Sequence, residues 1–225
     1  MSASAPHAPR ARSGGSVLPP WVKQGGRAIL APLIRLAIAL HLTPNSITVI
    51  GLTITVVAAV LVAFDVLLVG AVILTFGSIL DAVDGGLARA QGASTPFGAF
   101  FDSTLDRSGE AILFIGVGTW LLRFQPDPLL PMLALMVAMG GSLLVSYAHA
   151  RAQGIGLSAE VGLAPRTERL VLMVVGIALA GVGFTAGLIG VLVILAVLTV
   201  ITVIQRIWHV WRLSRAADTV QSKEN

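Results

Sequence analysis

The sequence has no cysteine, which excludes disulfides, thiolate metal sites and cysteine nucleophiles together. Charge is scarce as well. Charged residues make up 12% of the chain, half the ~25% of an ordinary soluble domain, and only 11 of the 225 residues are acidic. Against these shortages stand an apolar fraction of 56% and a mean hydropathy of +0.89. A helix crossing the ~30 Å hydrocarbon layer uses about 20 apolar residues, so six crossings use about 120, close to the apolar content of the chain. So few charges do not cover a soluble globule of this size. The bilayer is therefore the solvent for much of the molecule.

The chain divides by composition. Residues 1–20, rich in Ser, Ala, Pro and Gly, read as a disordered tail. No uninterrupted apolar core follows the basic start, which argues against a signal peptide. Over 21–41, Lys23, Arg27 and Arg35 share one helical face, while Val22, Ile29, Leu33, Leu36 and Leu40 lie on another. That pattern predicts a juxtamembrane amphipathic helix lying in the cytoplasmic headgroup region. Thr43-Pro44-Asn45-Ser46 then supplies helix-start chemistry. Residues 42–212 form the membrane domain, with apolar segments at 46–64, 66–88, 98–122, 129–152, 167–184 and 186–207, and residues 213–225 are a polar cytoplasmic tail. The expected fold is an all-α integral membrane protein with six transmembrane helices.

An even number of spans puts both termini on one side. Lys23, Arg27, Arg35, Arg89, Arg107, Arg151, Arg166, Arg169, Arg206, Arg212, Arg215 and Lys223 fall on that side, and Arg123 falls opposite. The positive-inside rule makes the terminal side cytoplasmic and accounts for an isoelectric point near 10.6 without nucleic acid.

The acids are concentrated. Asp81, Asp84, Asp102 and Asp106 fall at the facing ends of the second and third spans. Unpaired at bilayer depth, four aspartates cost ~10 kcal/mol, so positive charge is required among them. Asp81, Asp84, Gly85 and Ala88 share one helical face, and Gly98, Asp102 and Asp106 another. Bringing those faces together makes an oxygen-lined pocket beside small residues, suited to hard divalent ions such as Mg²⁺. A carboxylate-based ion or proton transporter is the rival class.

The run Asp81-Ala-Val-Asp84-Gly85-Gly-Leu-Ala88-Arg89, followed by Gly98, Asp102 and Asp106, resembles the signature of the CDP-alcohol phosphotransferase family, D-x-x-D-G-x-x-A-R-x8-G-x3-D-x3-D. All eight defining positions match. The resemblance implies a membrane enzyme, usually a homodimer, in which an acceptor hydroxyl displaces CMP from a CDP-linked lipid. It implies that Asp81, Asp84, Asp102 and Asp106 hold two Mg²⁺ or Mn²⁺ ions and that Asp106 is the general base. Asp81, Gly85, Ala88, Arg89 and Gly98 would bind the CDP donor, with Asn45 and Thr48 beside the nucleotide.

A second run is similar to the prokaryotic branch of that family that makes phosphatidylinositol phosphate: Ser146-Tyr-Ala-His149-Ala-Arg151, then Arg166, Arg169 and Arg206. It implies that Ser146, Arg151, Arg169 and Arg206 line the site of the acceptor, inositol 1-phosphate, with CDP-diacylglycerol as donor; His149 and Arg166, at the same helix ends, are expected to join them on its phosphate. His149 departs from the lysine usual there, which leaves glycerol 3-phosphate or another alcohol as the alternative acceptor. The implied setting is the plasma membrane of a prokaryote, with the active site cytoplasmic.

Overall fold

The computed structural model describes residues 31–91, 95–163 and 165–224. The expected tail at 1–20 and the first part of the amphipathic helix lie outside the described residues, as do the side chains of Asp84, Gly85, Ala88 and Arg89 and those of 216–224. Everything regular among the described residues is helical: α1 (31–39), α2 (Pro44–Ala63), α3 (Leu67–Gln91), α4 (Pro96–Phe124), α5 (Leu129–Gly154), α6 (Arg166–Gly181) and α7 (Thr185–Glu224).

The helix starts follow local chemistry. Thr43 caps α2 by accepting from the Ser46 amide at 3.2 Å, and Thr95 caps α4 by accepting from the Gly98 amide at 3.0 Å. Each is followed by a proline, whose missing N–H costs nothing at the first helical position. Between α6 and α7 the backbone turns at Gly183 with φ 92°, where the Phe184 amide donates back to the Leu179 carbonyl. The apolar segment expected at 167–184 therefore ends at Gly181. Beyond residue 207, α7 continues to Glu224, because no glycine or proline follows Gly190 to stop it.

The polarity of the bundle is that of a membrane protein. Val56, Val57 and Val60 of α2, Leu133 and Met136 of α5, and Val193, Ile194 and Val197 of α7 are exposed. Among the described residues, three helices are long and apolar enough to cross a bilayer: Pro44–Ala63, Leu129–Gly154 and Thr185–Arg215, with mean hydropathies of 2.5, 2.0 and 3.0. The first 15 residues of α3, Leu67–Asp81, are apolar too, and its charges follow.

α2 packs against both α3 and α4, α3 against α6, and α7 against α5 and α6. Ala58, Val62, Leu74, Leu113, Val117, Leu121, Ile177, Leu188 and Leu192 meet in the principal core. Small residues allow the closest approach. A Cβ at Gly116 of α4 would lie 2.5 Å from the Ala59 carbonyl oxygen of α2, so the helices touch backbone to backbone there. A second cluster joins Ala37 of α1 to Ile47, Val83 and Leu87, fixing α1 across α2 and α3.

The two ends of the bundle differ. At one end, Trp120 donates to Asp65 at 2.6 Å, and Arg123 donates to the Ala63 carbonyl at 3.2 Å while lying over the Phe64 ring. The other end carries Asp81 and Asp106 of the motif together with Arg166 and Arg169.

Candidate active site

A cavity opens among α2, α3, α4 and α6, lined by Thr48, Gly51 and Thr55 of α2, Ser78 and Asp81 of α3, Asp106 and Glu110 of α4, and Arg166 and Arg169 of α6. Because α2 packs on both α3 and α4, it brings Asp81 of α3 and Asp106 of α4 into the same cavity. Gly51 of α2 lies beside the first carboxylate: a Cβ there would be in ordinary van der Waals contact, 3.8 Å from Asp81 Oδ1. Thr48 is buried, its hydroxyl donating to the Pro44 carbonyl at 3.1 Å.

The two carboxylates converge on a single cationic atom. Arg166 Nη2 lies 2.5 Å from Asp81 Oδ2 and 2.6 Å from Asp106 Oδ1. Asp102, half-buried one turn before Asp106, also acts on it electrostatically. The positive charge expected among the aspartates is thus supplied from α6, across more than fifty residues of sequence. Oxygen donors from two helices that meet at one cation suit a hard divalent ion, which binds carboxylate oxygens in the same way. Among the described residues, no group of three or more ligand side chains surrounds one point. Asp84 belongs to the motif but its side chain lies outside the described residues.

One turn deeper on α4 the balance reverses. Glu110 Oε2 accepts from Arg107 Nη1 at 2.8 Å, and its Oε1 accepts from Arg169 Nε at 3.2 Å and from the Ser142 hydroxyl at 2.5 Å. Arg107 also donates to Ser146 Oγ at 2.5 Å and lies 4.0 Å from Asp106. Arg169 is 4% exposed. One carboxylate and two guanidinium groups leave this cluster with a net positive charge.

The residues expected to bind an acceptor phosphate are distributed unevenly. Ser146 and Arg169 enter the basic cluster. Arg166 lies between Asp81 and Asp106. Arg206 donates to the Val145 and Val161 carbonyls at 2.5 and 3.0 Å, tying α7 to α5 and to the segment before α6, with the Arg169 charge in reach. His149 Nε2 pairs with Gln153 at 3.1 Å, and Arg151 is exposed at the end of α5. On the donor side, Asn45 is beside Gly98: a Cβ at Gly98 would lie 3.6 Å from Asn45 Oδ1.

Glu110, Arg107 and Ser142 are not among the site residues expected from the sequence, where Arg107 counts only toward the one-sided positive charge. A signal existed, since Asp102, Asp106 and Glu110 recur at intervals of four along α4.

The sequence matches the CDP-alcohol phosphatidyltransferase family over residues 41–211. The chain belongs to that family. The enzyme class expected from the aspartate motif is the one the family name carries. The sequence is 38% identical over 106 residues to the phosphatidylinositol phosphate synthase of Mycolicibacterium smegmatis, a stretch covering 47% of each chain. The aligned stretch thus spans about half the length of that relative. The fold is similar over a greater length to the crystal structure of Mycobacterium tuberculosis phosphatidylinositol phosphate synthase with CDP-DAG bound. That likeness has a TM-score of 0.76 at 33% identity and covers 82% of this chain and 94% of the other. The same mycobacterial protein in complex with manganese and citrate gives a TM-score of 0.75 at 32% identity, covering 81% and 88%.

Proposed function

We propose that this protein is a membrane enzyme that transfers the phosphatidyl group of CDP-diacylglycerol to inositol 1-phosphate, giving phosphatidylinositol phosphate and CMP. The observation that carries this reading is the pair of oppositely charged clusters in one cavity, Asp81 and Asp106 on one side and Arg169 with Glu110 on the other. An acidic cluster suits a donor diphosphate that arrives with cations. A basic cluster suits an acceptor that brings its own phosphate, which guanidinium groups grip in bidentate fashion.

Two divalent ions, Mg²⁺ or Mn²⁺, would be held by Asp81, Asp84, Asp102 and Asp106, and would supply charge neutralisation and polarisation of the donor's β-phosphorus. The residues of the chain do the rest. Asp106 accepts the proton of the acceptor hydroxyl as its oxygen bonds to the β-phosphorus, and the bond to the CMP oxygen breaks. Gly85, Ala88 and Gly98 lack bulk, letting the nucleotide approach the helices, while Arg89, Asn45 and Thr48 bind it from the same level. Ser146, His149, Arg151, Arg166, Arg169 and Arg206 form the acceptor side, with Arg169 aligning the phosphate so that its hydroxyl faces Asp106.

In this reading α2 to α7 are six membrane spans, α1 continues an interfacial amphipathic helix, and both termini and the cavity are cytoplasmic in a prokaryotic plasma membrane. The enzyme works as a homodimer. The one-sided distribution of Lys and Arg supports the orientation. A panel of radiolabelled acceptors presented to the purified protein with CDP-diacylglycerol and Mg²⁺ tests the assignment. Labelled phosphatidylinositol phosphate is the expected product. Preference for glycerol 3-phosphate would refute the acceptor, and ion uptake with no CMP release would refute the reaction.

A further inference from the structure

Glu110 has no part in the chemistry above, although it lines the same cavity as Asp106 and follows it by one helical turn. Its surroundings differ from those of the aspartates. Both carboxylate oxygens are engaged by side chains from three helices: Arg107 of its own helix on Oε2, and Ser142 of α5 and Arg169 of α6 on Oε1. Its side chain is 15% exposed. A carboxylate so committed is a poor ligand for a cation, because each oxygen already accepts a charge-assisted or short hydrogen bond. It is well placed for another task. Arg169 is a long, rotamer-rich side chain, and ordering such a group on binding costs affinity unless it is held beforehand.

We propose that Glu110, itself held by Arg107, is a positioning residue that fixes Arg169 as a preformed anion-binding wall of the cavity for the phosphate of the acceptor. The inference deepens the proposed function and rests on its acceptor being phosphorylated. Two physical effects compete, and they have opposite signs. A carboxylate near a phosphate repels it, so a bystander at this position would bind phosphate more tightly once neutralised. A carboxylate that holds the guanidinium in place would bind it more weakly once neutralised, since Gln cannot accept on both oxygens or carry the charge that orients two arginines.

The test uses the full chain in detergent. Inorganic phosphate, titrated in metal-free buffer, and CDP with Mg²⁺ are the two probes, each read as a shift in melting temperature. Wild-type protein is expected to be stabilised by both. Glu110→Gln is expected to bind phosphate about tenfold more weakly, the loss that follows removal of one charge-assisted partner, while keeping its response to CDP with Mg²⁺. In turnover, the same variant raises KM for inositol 1-phosphate more than it lowers kcat, and Glu110→Asp recovers part of the KM. Unchanged or tighter phosphate binding by Glu110→Gln overturns the proposal, as does a wild-type protein that phosphate does not stabilise. If Glu110→Gln does not fold, Ser142→Ala decides, since it removes one hydrogen bond to Oε1: weakening of about threefold supports the proposal, and no change overturns it. A wild type whose phosphate binding weakens on Glu110→Gln yet which transfers nothing to inositol 1-phosphate refutes the proposed function and leaves this inference standing.

Discussion

Asp106 and Glu110 sit one turn apart on the same helix and line the same cavity, but they carry out opposite electrostatic work. Around Asp106, two carboxylates share one guanidinium, and Asp102 adds further negative charge. Around Glu110, two guanidiniums share one carboxylate. A surplus of negative charge calls for cations and, through them, a diphosphate; a surplus of positive charge calls for an anion directly. The two surpluses lie one turn apart, about 6 Å along the helix axis at 1.5 Å per residue, which in the proposed reaction is the spacing between the donor and acceptor ends. That is a distance at which a phosphate held by Arg169 leaves the rest of its molecule to reach Asp106. The contrast also explains how one helix of the bundle, a membrane span in the proposed topology, tolerates Asp102, Asp106, Arg107 and Glu110 within nine residues. Each charge faces a partner within the bundle, and lipid meets none of them alone.

The largest way to break this contrast is to remove the charge of Asp106 and keep its shape. Asp106→Asn is expected to lower CMP release by about 10³-fold, the scale of a lost general base, while helical content by circular dichroism stays at the wild-type level. Near-normal turnover would reassign the base. A smaller effect follows at the basic end. Arg169→Lys keeps the charge but loses the planar fork that engages Glu110 from Nε and Nη2. Its KM for inositol 1-phosphate is expected to rise between about 10-fold and 100-fold, corresponding to roughly 1.4 to 2.8 kcal/mol, with a smaller change in the KM for CDP-diacylglycerol. An equal rise in both KM values would show that the two ends of the cavity are not separate.

The donor end of this contrast was legible in the sequence, and the acceptor end much less so. Four aspartates at helical spacing are conspicuous in a chain with so few acids, and their need for a cation follows from the cost of charge in lipid. The helices could be read as well, because long apolar runs leave the backbone little alternative. The source of that cation could not be read: Arg166 reaches Asp81 and Asp106 only because α3 packs against α6, and pairing between distant helices has no periodic signature. The same holds for Glu110. Its spacing from Asp106 places it on the motif face, but its true partners, Ser142 and Arg169, lie 32 and 59 residues further along. Arg206 illustrates the remaining difficulty. The family resemblance placed it on the acceptor side, but no pattern in the sequence announced that it also donates to two carbonyls and braces the helices that carry the site.

Arg166 gives the smallest and most discriminating test, because the two ends of the cavity make different demands on it. If its main task is to balance the aspartates, then Arg166→Gln leaves Asp81 and Asp106 facing each other without the cation between them. The side chain is 36% exposed, so solvent screens part of that repulsion, and the expected loss of stability in metal-free buffer is about 1 kcal/mol. Added Mg²⁺ then has more to neutralise and no tethered guanidinium to displace. The melting temperature of the variant should therefore rise further on Mg²⁺ addition than that of the wild type, and the gap between the two proteins should narrow as metal saturates. If Arg166 instead serves the acceptor phosphate, the Mg²⁺ response is the same in both proteins and the variant's defect appears in the phosphate titration. A melting-temperature series in Mg²⁺ and in inorganic phosphate separates the two roles, since each cluster answers to an ion of the opposite charge.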